Sequence, residues 1–276
     1  MRAGYCTRPS CLIIGAQKAG TTALSEYLAG HPLVVAPKKK ELRFFAPEYS
    51  ALWPGHPSHW LSGGPDPVDS PQMRGWYHSQ FPLPHRTPAR SVAFEATPEY
   101  LLVPEAPARI WRYRPEMKLI ALVREPADRA YSAWNMYRNF GPYKPHIYAP
   151  HREGRSFEAA IEEELKEIEH GAYSLDPAYV ARGLYAEQLA RYLRFFPRSQ
   201  LLIVDSLEFR TQTARVLRRA YEFLELPPNE GQLLPPIHVG RYNDPPPADA
   251  MERLRHFFRP RNEELYVLTG ENFGWE

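Results

Sequence analysis

The chain has 276 residues and a mass of 31.9 kDa, with 43% hydrophobic and 24% charged residues. That composition builds a buried core and excludes a disordered chain, and no apolar run reaches the ~18 to 20 residues that a membrane span needs. A formal net charge of +2 excludes the strong single-sign field that nucleic-acid binding calls for. The opening stretch, MRAGYCTRPSCLIIGAQ, has no apolar leader region, so the expectation is a cytoplasmic chain, with the luminal domain of an anchored enzyme as the alternative. Cys6 and Cys11 are the only cysteines, too few for a disulfide framework or a zinc site.

In chain order, CLIIGA (11–16) reads as a buried parallel strand, and the helix after it carries apolar Ala23, Leu24, Tyr27 and Leu28. Thr21 and Thr22 are placed to cap that helix, and Gly30-His31-Pro32 stops it, with His31 a structural residue at its end. LVVAP (33–37) reads as a second strand, followed by the basic run KKK and ELRFF. Residues 46–91, rich in Pro, Trp, His and Gly, read as a long functional connection lining an acceptor cleft. SVAFEA begins a third strand, PEAPARIWRYRP gives a short helix, and MKLIALV (117–123) is the clearest buried strand. REPADRAYSAWNMYR, 157–171 and 184–197 are helical, SQLLIVDS (199–206) is a strand, and 214–226 is a helix. The tail reads as two short helices split at Pro260. Strands alternating with helices predict one α/β domain of the P-loop type over 1–276, with a core at 11–275: a central parallel sheet of about five strands, helices on both faces.

The stretch IIGAQKAGTT places Gly15 and Gly20 at the spacing of a phosphate-binding loop, but Thr21 stands where the usual lysine would be, and Lys18 lies inside the loop. A glycine turn entering a helix offers unpaired backbone N–H groups and the positive end of a dipole to an anion. The strand that should end in an acidic metal ligand ends instead in Arg124, which repels a metal and attracts a second anion. The expected ligand therefore carries two separate anionic groups and needs no metal. That combination points to 3′-phosphoadenosine 5′-phosphosulfate (PAPS), with 3′-phosphoadenosine 5′-phosphate (PAP) as product.

On these residues the chain resembles the PAPS-dependent sulfotransferases, most closely the heparan sulfate and carbohydrate branch with its bacterial relatives. GAQKAGTTAL is similar to their 5′-phosphosulfate loop, and LIALVREPADRAYSAW to their 3′-phosphate motif, with Arg124 and Ser132 at the family's spacing. KKKELRFF resembles the segment that carries a catalytic glutamate, here Glu41, and the likeness runs through GWYHSQFP, FEATPEYL, GLYAEQLARYLRFFP and GRYNDPP. The resemblance implies Glu41 and Lys18 as catalytic residues. It implies Gln17, Lys18, Ala19, Gly20, Thr21, Thr22, Arg124, Ser132, Tyr185 and Arg241 as donor-binding residues. Lys40, Arg43, Trp76, Tyr77 and Glu95 become candidates for the acceptor, a glycan or small metabolite.

The mechanism that follows has Glu41 taking the proton of an attacking hydroxyl or amine, Lys18 and the N–H groups of 19–22 holding the leaving phosphate, and Arg124 with Ser132 clamping the 3′-phosphate. Three departures concern the acceptor: Ala96 follows Glu95 where a lysine is expected, Ala46 follows the paired phenylalanines where an acid is common, and a C-terminal cysteine pair is missing. Donor chemistry survives them, whereas heparan sulfate as acceptor does not follow. The competing readings are a P-loop kinase or NTPase, which lacks its Walker-type lysine and acidic metal ligand here, and a non-catalytic binding module on the same fold, against which Lys18 and Glu41 argue.

Overall fold

The computed structural model describes residues 7–55, 58–83, 88–140, 145–172, 174–229 and 245–275. Five strands, β1 (Cys11–Gly15), β2 (Val34–Val35), β3 (Val92–Ala96), β4 (Lys118–Val123) and β5 (Leu201–Asp205), form one parallel sheet in the order β2-β3-β1-β4-β5. CLIIG is buried throughout, as is KLIALV apart from its first residue, because a central parallel strand is covered on both faces and alternation disappears. β2 is cut to two residues.

Helices α1 (Thr21–Ala29), α2 (Pro47–Ala51), α3 (Pro71–Ser79), α4 (Glu99–Leu102), α5 (Ala106–Tyr113), α6 (Pro126–Arg138), α7 (Pro145–Tyr148), α8 (Phe157–Glu169), α9 (Tyr185–Leu193), α10 (Ser206–Thr211), α11 (Thr213–Phe223) and α12 (Ala248–Thr269) flank the sheet. Among the described residues no helix is long and apolar enough to cross a membrane.

The expectation of two short helices in the tail is corrected. The tail is a single helix, α12, running through Pro260. An interior proline costs about 3 kcal/mol, and the burial of Met251, Leu254, Phe258 and Leu265 from both sides of it outweighs that cost. Residues 46–91, expected as a long functional connection, are in part regular and packed. They contain α2, a short 3-10 turn at His59–Leu61, and α3. They also send Tyr49, Trp53, Leu61, Val68, Met73, Tyr77 and Phe81 into the core. Arg109 of α5 fastens them, pairing with Glu48 and with Asp66, whose carboxylate lies 3.0 Å from Nε. His31 behaves as expected: its Nδ1 accepts from the Leu33 N–H (3.0 Å), so Nε2–H donates to the Pro227 carbonyl (2.9 Å).

β1 lies between β3 and β4, so the loops leaving the carboxyl ends of all three strands are neighbours. Cross-links between them are direct: the Ala16 N–H donates to the Leu122 carbonyl (2.6 Å), and the Thr97 N–H to the Ile13 carbonyl (3.1 Å). Crevices at such strand ends are where open α/β sheets bind ligands.

Candidate active site

The first glycine of the loop is fixed by space and the second by backbone angle. A Cβ on Gly15 would sit 2.7 Å from the Leu101 Cβ and 3.1 Å from the Pro98 carbonyl, so only glycine lets α4 approach β1 this closely. Gly15→Ala is expected to destabilise the protein by about 1–3 kcal/mol, as overpacking of a filled core does; a thermal melt checks this, and an unchanged midpoint would contradict it. Gly20, at φ 104°, turns the chain into α1. It occupies the cap position, and no side chain caps the helix. The expectation that Thr21 and Thr22 cap α1 is thereby corrected: they are its first two residues. The first-turn N–H groups are left without a side-chain acceptor, the arrangement that suits an anion. Lys18, at the loop's centre, holds a left-handed φ of 69°. Ala19 is buried, Gln17 and Thr22 are half-buried, and the Gln17 side-chain oxygen is buried without a hydrogen-bond partner among the described residues.

Arg124 leaves β4 directly beside that loop. Its Nη1 donates to the Lys18 carbonyl at 3.3 Å, so the two sequence motifs meet in space. The next two residues explain the REP spelling: Glu125 accepts from the Ala127 N–H (3.0 Å) and the Asp128 N–H (2.7 Å), and Pro126 takes the first turn of α6. Arg124 is thus held between a strand end and a capped helix. Ser132 lies buried on that helix.

Tyr185 is only 1% exposed, and its hydroxyl donates to the Arg124 carbonyl (3.0 Å) while accepting from the Arg124 N–H (3.4 Å). Expected as a donor contact, it is buried as Ser132 is, and its hydroxyl holds the Arg124 backbone from both sides. Arg129, a functional candidate that the spacing argument passed over, lies buried one turn before Ser132. It donates to the Tyr179 carbonyl, while its Nε and Nη1 have no partner among the described residues. Burial, with the like charges of Arg182 and Arg124 nearby, lowers it to about 10. The interior arginine after Pro126 was visible in the sequence; its burial was not.

The Glu41 turn is bolted to the end of β3 by three consecutive N–H groups. Glu41 donates to the Ala96 carbonyl (3.1 Å), Leu42 to Glu95 Oε1 (3.3 Å) and Arg43 to Thr97 Oγ1 (3.2 Å). Glu41 and Arg43 both sit at left-handed φ, 63° and 55°. Each such non-glycine residue costs on the order of 1–2 kcal/mol, and strain of that kind collects at functional sites. The Glu41 carboxylate is a third exposed, with Lys40 Nζ 2.8 Å from one oxygen and Arg43 Nη2 3.6 Å from the other. Phe44 and Phe45 anchor the turn in the core, Phe44 stacked on Tyr77 at 4.2 Å and Phe45 edge-on to Tyr100 at 5.4 Å.

Two acceptor candidates are corrected by burial. Tyr77 is fully enclosed in that aromatic cluster. Glu95 is fully buried as well, accepting from Leu42 and from the Thr97 hydroxyl. Burial pushes it up to about 7, against the pull of those hydrogen bonds. Glu95 therefore shapes the Glu41 turn from below. Trp76 stays half-buried, edge-on to the exposed Trp60 at 5.2 Å. Arg43 is buried behind Glu41, Lys40 is half-buried beside it, and Arg241 lies outside the described residues.

Among the described residues no group of three or more His, Cys, Asp or Glu side chains could hold a metal ion.

Comparison with known proteins gives a consistent picture. The sulfotransferase domain family matches residues 8–242. The chain is 31% identical, over an alignment 294 positions long, to human heparan sulfate glucosamine 3-O-sulfotransferase 6, with 97% of this chain and 73% of that protein covered. It is 29% identical to mouse heparan sulfate glucosamine 3-O-sulfotransferase 3B1, with 99% and 66% covered. Among solved structures, a sulfotransferase from Alicyclobacillus acidocaldarius superposes with a TM-score of 0.69 at 28% identity, with 97% of this chain and 98% of that one covered.

Proposed function

The chain belongs to the sulfotransferase domain family, and from that premise we propose that it transfers a sulfuryl group from PAPS to a hydroxyl or amine of a glycan or small-metabolite acceptor, with Glu41 as the base. The observation that carries this reading is the junction of three loops at adjacent strand ends. The Gly15–Gly20 loop follows β1, Arg124 follows β4 and touches the loop through the Lys18 carbonyl, and the Glu41 turn is bonded to the end of β3.

These residues fit the donor. The uncapped first turn of α1 and Lys18 suit its 5′-phosphosulfate, and Arg124 with Ser132, set by Tyr185 and the α6 cap, suits its 3′-phosphate. When bound, PAPS supplies an electrophilic sulfur whose bond to the 5′-phosphate oxygen breaks as the acceptor atom adds. Glu41, held by backbone on one side and flanked by two cations, takes the acceptor's proton. Lys18 and the N–H groups of 19–22 stabilise the charge that gathers on the departing oxygen. Arg124 and Ser132 hold a part of the donor remote from the reaction, which orients it. In this reading Lys18 and Arg124 would each meet one anionic group of the donor, the charge that a metal would otherwise supply.

A glycan acceptor is proposed because the curated relatives named above are heparan sulfate glucosamine 3-O-sulfotransferases. The alanines at 46 and 96 leave the identity of the glycan open to assay. The test is incubation with PAPS, in chelator, against a panel of sulfated and unsulfated glycans, phenols and amines. Acceptor-dependent PAP release with the matching mass gain is expected. Absence of transfer to every acceptor, together with magnesium-dependent ATP turnover, would overturn the reading.

A further inference from the structure

Behind Glu41 the charges alternate inward. The Glu41 side chain is 33% exposed, Arg43 7% and Glu99 3%, and a single nitrogen, Arg43 Nη2, lies 3.6 Å from Glu41 Oε2 and 3.7 Å from Glu99 Oε1. Arg43 Nε and Nη1 are buried without hydrogen-bond partners among the described residues. The guanidinium is therefore met by the two carboxylates at ion-pair rather than hydrogen-bond distance.

We infer that Arg43 and Glu99 are positioning residues for Glu41: Glu99 fixes the Arg43 guanidinium from the protein interior, and Arg43 in turn orients the Glu41 carboxylate at the mouth of the site. This rests on Glu41 being the base.

The anchor is rigid at each level. Glu99 opens α4 directly after Pro98. Arg43 is clamped between Glu99 and the rings of Tyr49 (4.9 Å) and Trp53 (5.8 Å). Arg182 packs over the same Tyr49 ring at 5.2 Å and is tied by Nη2 to the Leu175 carbonyl at 3.1 Å. Lys40, the other cation on Glu41, is half-buried and meets it through a single ammonium, which lacks the planar fork of a guanidinium.

The charged groups around the triad are Lys40 on the same turn, Arg182 behind Glu99 and, beyond the rings, Asp176, which accepts from the neutral hydroxyls of Tyr49 and Tyr137 beside Arg43. Burial works against the charge on Arg43, but Glu99 and then Glu41 outweigh it and hold the guanidinium above the ordinary arginine range. Burial raises Glu99, and repulsion from Glu41 adds to it, against the pull of Arg43 and Arg182.

The two variants therefore displace the acid limb of kcat/KM in opposite directions. Glu99→Gln removes a negative neighbour of Glu41 and leaves Arg43 wholly to it, so the limb moves to lower pH. Arg43→Met leaves Glu41 facing Glu99 with no cation between them, so the limb moves to higher pH, and kcat falls by roughly tenfold to a hundredfold as the carboxylate loses its orientation. Arg43→Lys keeps the charge without the planar fork and restores the limb while recovering only part of kcat. Wild-type PAP affinity in all three, by calorimetry, shows that the fold and the donor site are intact. Opposite limb shifts with intact PAP binding support the inference. Limbs that stay in place, or move together, overturn it while leaving Glu41 as the base untouched. Full turnover in Glu41→Gln would instead remove the reading on which it rests.

Discussion

Glu41→Gln is expected to lower kcat by about 10²- to 10⁴-fold, the usual contribution of a positioned general base, while PAP binds as tightly as in the wild type. The substitution keeps the shape of the side chain and leaves the three backbone bonds to β3 in place. What it removes is the ability to take a proton. Donor affinity is spared because the proposed donor contacts come from the loops after β1 and β4, and Glu41 belongs to the turn on β3. Steady-state PAP release and calorimetry read the two quantities separately. A non-catalytic binding module would show no change in either, which is the outcome that counts against an enzyme.

Lys18→Ala is expected to cost on the order of 10²- to 10³-fold in kcat, the loss seen when one preorganised donor to a developing oxyanion is deleted, with a smaller loss in PAP affinity. The loop backbone should survive the change. Lys18 touches Arg124 through its carbonyl, which alanine retains, and a φ of 69° strains alanine no more than lysine because both carry a Cβ. The N–H groups of 19–22 remain to bind the ground-state phosphate. A variant with unchanged kcat and only a raised KM for PAPS would show that Lys18 binds substrate and transition state equally, and would remove it from the catalytic set.

The sheet was legible in the chain because its strands are short, mostly apolar runs that alternate with helical segments, and the Gly15–Gly20 and Arg124–Ser132 spacings marked the strand ends at which chemistry gathers. Burial was not legible. Tyr77, Glu95 and Tyr185 are residue types that bind ligands as readily as they pack, and only the neighbourhood of β3, β1 and β4 turns them into supports for the Glu41 turn and for Arg124. The Thr-Thr pair carried a capping signal that Gly20, already in the left-handed conformation, made unnecessary. Pro260 read as a helix break because its cost is local, whereas the packing that overrides it comes from distant segments such as Gly183, whose added Cβ would lie 2.7 Å from Phe258. The Glu99–Arg43 contact was hidden for the same reason: it joins residues on different elements.

The account's central claim, a donor site built from the β1 loop and Arg124, is tested most directly by calorimetric titration of PAP into the wild type and into Arg124→Ala, with chelator and without metal. Tyr185 holds the Arg124 backbone, and the Arg124 guanidinium donates to the Lys18 carbonyl. The predicted result is wild-type affinity on the order of micromolar, weakened by roughly a hundredfold in the variant, the size of loss expected for an arginine paired with phosphate. Equal binding by both proteins, or no PAP binding alongside tight binding of magnesium ATP, would contradict the account.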